Sequence, residues 1–446
     1  MAQVHKKIRI LGQDPDILCA LWANIVSWVV ATFFPQYLRY LLPKYPEQED
    51  ENKADLEQTL TKCISIGRPG GLEQLQKIRL KRGIVTVGYN VKDFCPPPFT
   101  PPIQKIPGDC VILANHYFSV NYADVTIRWG LYESAKRFVG WPIVPGFDVA
   151  GTIEVLGDEI NNQRADIQQL KYKVGDRVFG CTLFGAYSSK ILIPKIQLRK
   201  IPEHLSTAQA ASLPTVSLTA LYALHLAGGY PTGVIKYRNK SVLIHSAAGG
   251  VGSMLVQMSK LLGFGPIVGV VGSSRKVTYA KSLGCDYVID KSMQPLFPKA
   301  KQLVPEGFAA AFDANGVSTL KNSYDSLAPT GRLIVYGFHT NLPLGQTTLS
   351  PLEWIRMGAK QSRMPKFDPM DMTVSNKSVL AFNLSFFAEE VDLVSNLFDQ
   401  IINWLEHDQL KYPPILEMDL GSVAQAHQHM QSGKSIGKVV ICTGVK

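Results

Sequence analysis

The sequence predicts an α/β protein: a small β-rich domain followed by a doubly wound parallel sheet, with an N-terminal apolar helix ahead of both. Three observations predict it. From about residue 212, strand-like and helix-like runs alternate, as a parallel sheet covered on both faces requires. Before that point, short strand-like runs are separated by turn signals. Within the alternating part, residues 241–263 run from a strand through a glycine-rich turn straight into a helix.

The composition agrees. Of the 446 residues, 46% are hydrophobic and 18% charged, a globular balance with ample material for a core. There is no low-complexity tract and no short-period repeat. The seven cysteines are odd in number, widely spaced and without a CxxC pair, so neither a disulfide framework nor a zinc ribbon is expected. The chain reads as one at home in a reducing compartment. The net charge is +10, with basic clusters at Lys6, Lys7 and Arg9, at Lys77, Arg79, Lys81 and Arg82, and at Lys236, Arg238 and Lys240. No nucleic-acid motif accompanies them, so no nucleic-acid partner is expected and the clusters read as solvated surface.

Residues 1–60 form a segment of their own. The run 17–34 carries no charge and just reaches the length at which a helix spans a bilayer. Tyr37, Arg39, Tyr40 and Lys44 follow it, residues that anchor at a headgroup interface. Ala23, Ser27 and Ala31 recur every four residues, which lets another helix approach closely. Three readings stay open for the run: a membrane anchor, a helix lying in the interface or docked on the protein's own surface, and a cleaved signal peptide. The first is favoured, which puts the protein at a membrane with its catalytic part on the reducing, cytoplasmic side. Glu47 to Glu57 reads as an acidic linker.

The β-rich domain is placed at 61–211 and completed by 379–446. Its strands are expected at Lys62–Ile66, Lys77–Leu80, Cys110–Ala114, Val149–Leu156 and Arg177–Phe179. A turn at Arg68–Gly71 separates the first two, and Pro96–Pro98 with Pro101–Pro102 marks a stiff loop. The parallel-sheet domain is placed at 212–378. Strands are expected at Val242–Ser246, Ile267–Val271, Tyr287–Ile289, Ala309–Phe312 and Leu333–Tyr336, with helices at Gly252–Leu262 and Arg275–Leu283. The last segment adds a helix at Val391–Glu406 and a strand at Lys438–Cys442.

The turn carries the chemistry. In SVLIHSAAGGVGSMLVQMSKLLG, Ala247, Gly249 and Gly252 fill the three small-residue positions of a dinucleotide fingerprint, with Gly250 and Val251 between the last two. Small residues there allow a tight turn, close approach of backbone to a diphosphate, and helix–strand packing. The helix start then offers free N–H groups to the anion. An NAD-binding domain usually ends its second strand with a carboxylate, roughly 20 residues on, to hold the ribose hydroxyl. Residues 267–276 contain none and offer Ser273, Ser274, Arg275 and Lys276 instead. Hydroxyls and cations suit a 2′-phosphate, so NADPH is the expected cofactor.

Seven pieces in order then resemble one family. They are NYADVTIRWGLY at 121–132, PGFDVAGTIEVLG at 145–157, VGDRVFG at 174–180, SLTALYAL at 217–224, SAAGGVG at 246–252, GRLIVYGF at 331–338 and IGKVVI at 436–441. The chain resembles the medium-chain dehydrogenases/reductases of the quinone oxidoreductase (zeta-crystallin-like) branch, and within it the synaptic-vesicle membrane protein group. The resemblance covers about 61–446. It implies a GroES-like catalytic domain interrupted by a Rossmann domain, with the active site in the cleft between them. By position it places Asn121 and Thr219 near the nicotinamide, Gly337 and Phe338 by its carboxamide, and Lys438 close to the cofactor. Lys291 stands where a tyrosine often borders the 2′-phosphate. A homodimer through the Rossmann sheet edge is implied by analogy with relatives.

No metal site is expected. Zinc-dependent relatives carry cysteine where this chain has Asn121 and His-Glu where it has Phe147-Asp148, and an amide and a phenyl ring are not such ligands. His427 and His429 are two apart and read as surface histidines. The activity implied is hydride transfer from NADPH to a quinone or an α,β-unsaturated carbonyl, with substrate polarised by hydrogen bonds. Asn121, Tyr122 and Tyr132 are the candidate catalytic residues, the tyrosines as proton donors or as packing. Thr126 replaces a tyrosine frequent in such reductases, so their specificity does not transfer. The extra length between Gly157 and Gly175 reads as a lid, a partner surface or an idle loop. A membrane-attached binding or trafficking protein that keeps the nucleotide site with little turnover is the alternative, and a lone enoyl-reductase unit a third.

Overall fold

The computed structural model describes residues 60–81, 84–86, 99–100, 106, 108–157, 171–228, 240–341, 351–387 and 390–445. The apolar run 17–34, the acidic stretch, the two proline clusters and most of the length between Gly157 and Gly175 lie outside them. Among the described residues no helix is long and apolar enough to cross a membrane.

The first domain opens with a hairpin of β1 (Leu60–Ile66) and β2 (Leu75–Lys81). Its main sheet takes β3 (Ile84–Thr86), β4 (Phe99–Thr100), β5 (Cys110–Val120), β6 (Asp148–Leu156), β7 (Arg177–Cys181), β8 (Lys190–Pro194) and β9 (Leu198–Lys200). Their spatial order is β4-β3-β8-β5-β6-β7-β9. The strand expected to end at Ala114 runs on to Val120. Polar letters hide this continuation, because Asn115 and Ser119 are buried and hydrogen-bonded rather than exposed.

The second sheet holds β10 (Val242–Ile244), β11 (Ile267–Val271), β12 (Tyr287–Asp290), β13 (Phe308–Asp313), β14 (Leu327–Val335) and β15 (Ser378–Ala381). All pairings are parallel, in the order β12-β11-β10-β13-β14-β15. This is the α/β, Rossmann-type sheet that the alternation predicts. Its last strand straddles the boundary placed at 378. The chain then returns to the first domain. β16 (Ile415–Asp419) pairs with β17 (Lys438–Cys442), and β17 lies antiparallel to β5.

The helices are α1 (Tyr122–Arg128), α2 (Glu133–Phe138), α3 (Thr207–Ala211), α4 (Pro214–Leu226), α5 (Gly250–Leu261) and α6 (Val277–Ser282). They continue with α7 (Leu296–Leu303), α8 (Leu320–Asp325), α9 (Pro351–Gln361), α10 (Pro369–Ser375), α11 (Val391–Glu406) and α12 (Val423–Gln431). Side chains alternate across a strand, so Val242 and Ile244 join a core with α4, α5 and α11 while Leu243 joins another with α7 and α8. Covering both faces explains why these strands read as unbroken apolar runs.

One expectation is corrected here. His427 is not a surface residue: it is fully buried on α12, with Nε2 3.0 Å from the hydroxyl of Tyr187. Helix α12 packs its 423, 426, 427 face inward, and burial holds the imidazole far below its usual range, hence neutral.

Candidate active site

β10 delivers the chain into the turn. Ser246 takes a left-handed conformation, with φ of 55°. A Cβ on Gly252 would lie 2.1 Å from the Ser246 carbonyl oxygen, so the turn's own backbone demands glycine there. Ala247 is fully buried and donates its N–H to Val270 O at 3.0 Å. It shapes the turn from inside and has no free amide for a ligand. Helix α5 then starts at Gly250 behind Gly249, with no side-chain cap. The first N–H groups of a helix have no partner within it, so this start offers donors to an anion.

The expected phosphate cluster follows β11. Arg275 and Lys276 point across the domain junction, donating to the carbonyls of Lys434 and Gly433. Lys276 lies 2.7 Å from Gly433 O, and its ammonium is held below the usual range by burial and by the nearby Arg275 and Lys291. The turn at Gly433–Lys434 was not foreseen from the sequence. Ser274 is also engaged differently than expected: its hydroxyl donates to Asp290 Oδ2 at 2.6 Å. Asp290 ends the third strand, not the second, and is held below the carboxylate range by hydrogen bonds from Ser274 and Ser292. Lys291 is exposed beside Gly272. Ser273 precedes this cluster in extended backbone.

A cavity of about 530 Å³ lies between the domains. Val251, Ala314, Gly337 and Phe338 line it from the parallel-sheet side, and Asn121, Tyr122 and Tyr132 from the other. Thr219 on α4 borders both, its hydroxyl donating to Thr215 O at 2.6 Å. Burial pushes the hydroxyls of Tyr122 and Tyr132 up to about 12, so both keep their protons at neutral pH. Tyr132 donates to Asn383 Oδ1 at 3.0 Å, and Tyr122 reaches the carbonyl of His339 at 3.4 Å. Sequence reasoning missed His339, Phe382, Asn383 and Ser385 in this cavity. A signal existed, since they follow β14 and β15 and ligands of parallel sheets gather at the carboxyl ends of strands. Burial drops the His339 imidazole to about 4, leaving it neutral.

Behind the cavity, Asn121 is fixed from both ends. Its Nδ2 donates to Asp148 Oδ2 at 2.7 Å, and Lys438 donates to its Oδ1 at 2.6 Å. Ser119 and the backbone N–H of Thr215 also donate to Asp148. Lys438 therefore aims its charge at Asn121 and at the carbonyl of Val120. Only its stem touches the turn, 2.9 Å from where Gly250 would carry a Cβ.

Residues 107–203 match the family described as "Alcohol dehydrogenase GroES-like domain" and residues 250–396 that described as "Zinc-binding dehydrogenase". The donor set does not fit zinc. Asn121 and Phe147 are not ligands of that type, and the oxygens of Asp148 already accept from Ser119, Asn121 and Thr215. Among the described residues no three of His, Cys, Asp and Glu gather around one point.

Among curated relatives, the "Synaptic vesicle membrane protein VAT-1 homolog" of Danio rerio is 26% identical over 324 residues, 73% of this chain and 62% of the relative. The "2-haloacrylate reductase" of a Burkholderia species is 29% identical, over 74% of this chain and 90% of the relative. Among solved structures, the quinone oxidoreductase of Escherichia coli, complexed with NADPH, shares the fold at a TM-score of 0.63 and 21% identity, covering 86% of this chain and all of that one. The two matched domains, in this order and around one shared cavity, show that the chain belongs to the medium-chain dehydrogenase/reductase superfamily, close to VAT-1 homologs and quinone oxidoreductases.

Proposed function

We propose that the chain is an NADPH-dependent oxidoreductase that passes hydride to a quinone or an α,β-unsaturated carbonyl without zinc. One observation carries this reading. The uncapped start of α5 opens beside a cavity that both domains line, with Val251 on one wall and the fixed carboxamide of Asn121 on the other. The names of the Burkholderia reductase and the Escherichia coli oxidoreductase support it.

NADPH, when bound, supplies the hydride. The chain's own residues do the rest. Gly249, Gly250, Val251 and Gly252 present backbone to the diphosphate. Ser273, Ser274, Arg275, Lys276 and Lys291 would hold the 2′-phosphate, for which Ser274 leaves Asp290 and Arg275 and Lys276 exchange their present backbone acceptors. Thr219, Gly337, Phe338 and Asn121 position the nicotinamide, and Lys438 with Asp148 keeps Asn121 from rotating. Tyr122 and Tyr132 hold protons within the cavity and are the donors for the developing oxyanion. The domains proposed for this work are 61–211 with 379–446 for catalysis and 212–378 for the nucleotide, and a homodimer through an edge of the parallel sheet.

A second reading, a membrane-attached nucleotide-binding interaction protein with little turnover, draws on the name of the Danio rerio relative and on the run 17–34. One experiment separates them. Purified protein is mixed with NADPH or NADH and a panel of quinones and enones, and the reduced-cofactor absorbance is followed. The oxidoreductase reading expects consumption of NADPH. Cofactor binding without consumption across the panel selects the second reading, and absence of binding removes both.

A further inference from the structure

The lining of the cavity does not stop at the residues proposed for the nicotinamide. Besides Val251 and Gly337 its lining takes Val391, Val394 and Phe398 on α11, and Phe382 and Phe387. Residues 391, 394 and 398 are spaced three and four apart and share one helix face. From first to last that face runs about 10 Å at the rise of a helix. Phe398 is buried in the core, edge-on to Phe179 at 5.4 Å, whereas Val391 and Val394 are only half-buried although they border the cavity, so their outer flanks are left for an apolar ligand.

The two phenylalanines are held firmly. Phe382 and Phe387 meet the ring of Tyr222 edge-on, at 4.8 and 4.7 Å between centroids. The strip itself is anchored to the first domain by Arg199, whose Nη2 donates to Ser395 Oγ at 2.6 Å and whose Nε pairs with Asp399 at 2.6 Å. Ser395 is thereby occupied. The Gln197 carboxamide oxygen is buried at this end without a partner; one acceptor is too little to hold a hydrophilic group.

We propose that this end is a tail subsite, and that the substrate is a carbonyl compound carrying an unbranched apolar chain rather than a compact enone or small quinone. Apolar side chains set along one helix row, with two further rings in the same lining, accommodate a chain in preference to a broad polycycle. The reacting end of this proposal rests on the reductase reading; the subsite itself rests on the lining alone.

Methyl, propyl, pentyl and nonyl vinyl ketone test it, with NADPH in excess. Specificity, kcat/KM, is expected to climb by up to about fourfold per added methylene, the value of burying one in an apolar site. It should level off once the chain outruns the wall. Calorimetric titration of the matching saturated ketones into the NADPH-loaded protein should give the same slope without turnover. In Val394→Trp the nonyl-to-methyl ratio should fall at least tenfold, and because a ratio is read, a general loss of folded protein cancels. A flat profile in both rate and binding, or an unchanged ratio in the variant, overturns the subsite. A rising binding slope with no NADPH consumed keeps the subsite and removes the reductase reading.

Discussion

Asp124 is fully buried beneath the cavity, where it accepts from the hydroxyl of Tyr187 at 2.9 Å and from the backbone N–H of Asn121 at 2.8 Å. Burial nonetheless raises its carboxyl from the ordinary 3.8 to about 7. The folded chain therefore holds a proton there that the unfolded chain has released between those values. Stability contributed by this group is present below about pH 4 and declines as pH rises toward 7. Asp124→Asn should flatten that part of the profile, as urea unfolding across the interval will show; an unchanged slope would assign the pH dependence elsewhere. A second residue-scale prediction concerns Arg275 and Lys276. Changing both to alanine should weaken NADPH far more than NADH, each lost charged hydrogen bond being worth roughly 1.5–3 kcal/mol. Equal losses for the two coenzymes in a fluorescence titration would refute the phosphate assignment. At this scale the sequence was readable where geometry is local, as in the glycine that the turn demands at 252. It was opaque where a partner arrives from far along the chain, as Asp290 does for Ser274 and Tyr187 for His427.

The strand–turn–helix of β10 and α5 was the most legible element, because its tightest constraint, Gly252 against the Ser246 carbonyl, is written within a few residues. Its glycines are not equivalent. At Gly252 a methyl group would strike the backbone carbonyl of Ser246, which cannot move without unmaking the turn. At Gly250 it would meet the Lys438 stem and a Val216 methyl at 2.9 Å, side chains with some freedom to give. Gly252→Ala should therefore abolish coenzyme binding and lower the melting temperature. Gly250→Ala should keep binding, weakened, with a smaller thermal cost. Calorimetric titration and a thermal melt of both variants check the order, and the reverse order would mean that ligand contact rather than turn geometry selects these residues. The cavity wall from α11 was far less legible. Its helix was foreseen, but the residues that only border the cavity, Val391 and Val394, carry the same apolar letters as those that face the core, and Phe398 does both. Only tertiary packing tells them apart.

At the scale of the whole molecule, the last strand ties the two domains into one mechanical unit. Gly437 donates its N–H to Ala248 O at 3.1 Å, inside the glycine turn. One residue on, Lys438 lays its stem against Gly250 and its ammonium on Asn121, and the strand it begins pairs with β5 at Val120. A ligand that orders the glycine turn is thus coupled through two adjacent residues to the central strand of the other domain. Saturating NADPH at 100 times its dissociation constant should stabilise the protein by about 2.7 kcal/mol. The stabilisation should not stop at the domain that binds the diphosphate. Amide hydrogen exchange should slow at 242–252 and also at 110–120 and 438–442. Protection confined to the parallel sheet would show that the domains respond independently and that the contacts of Gly437 and Lys438 carry no coupling. Protection of β5 that disappears in Lys438→Met, while the glycine turn stays protected, would locate the coupling in that one side chain.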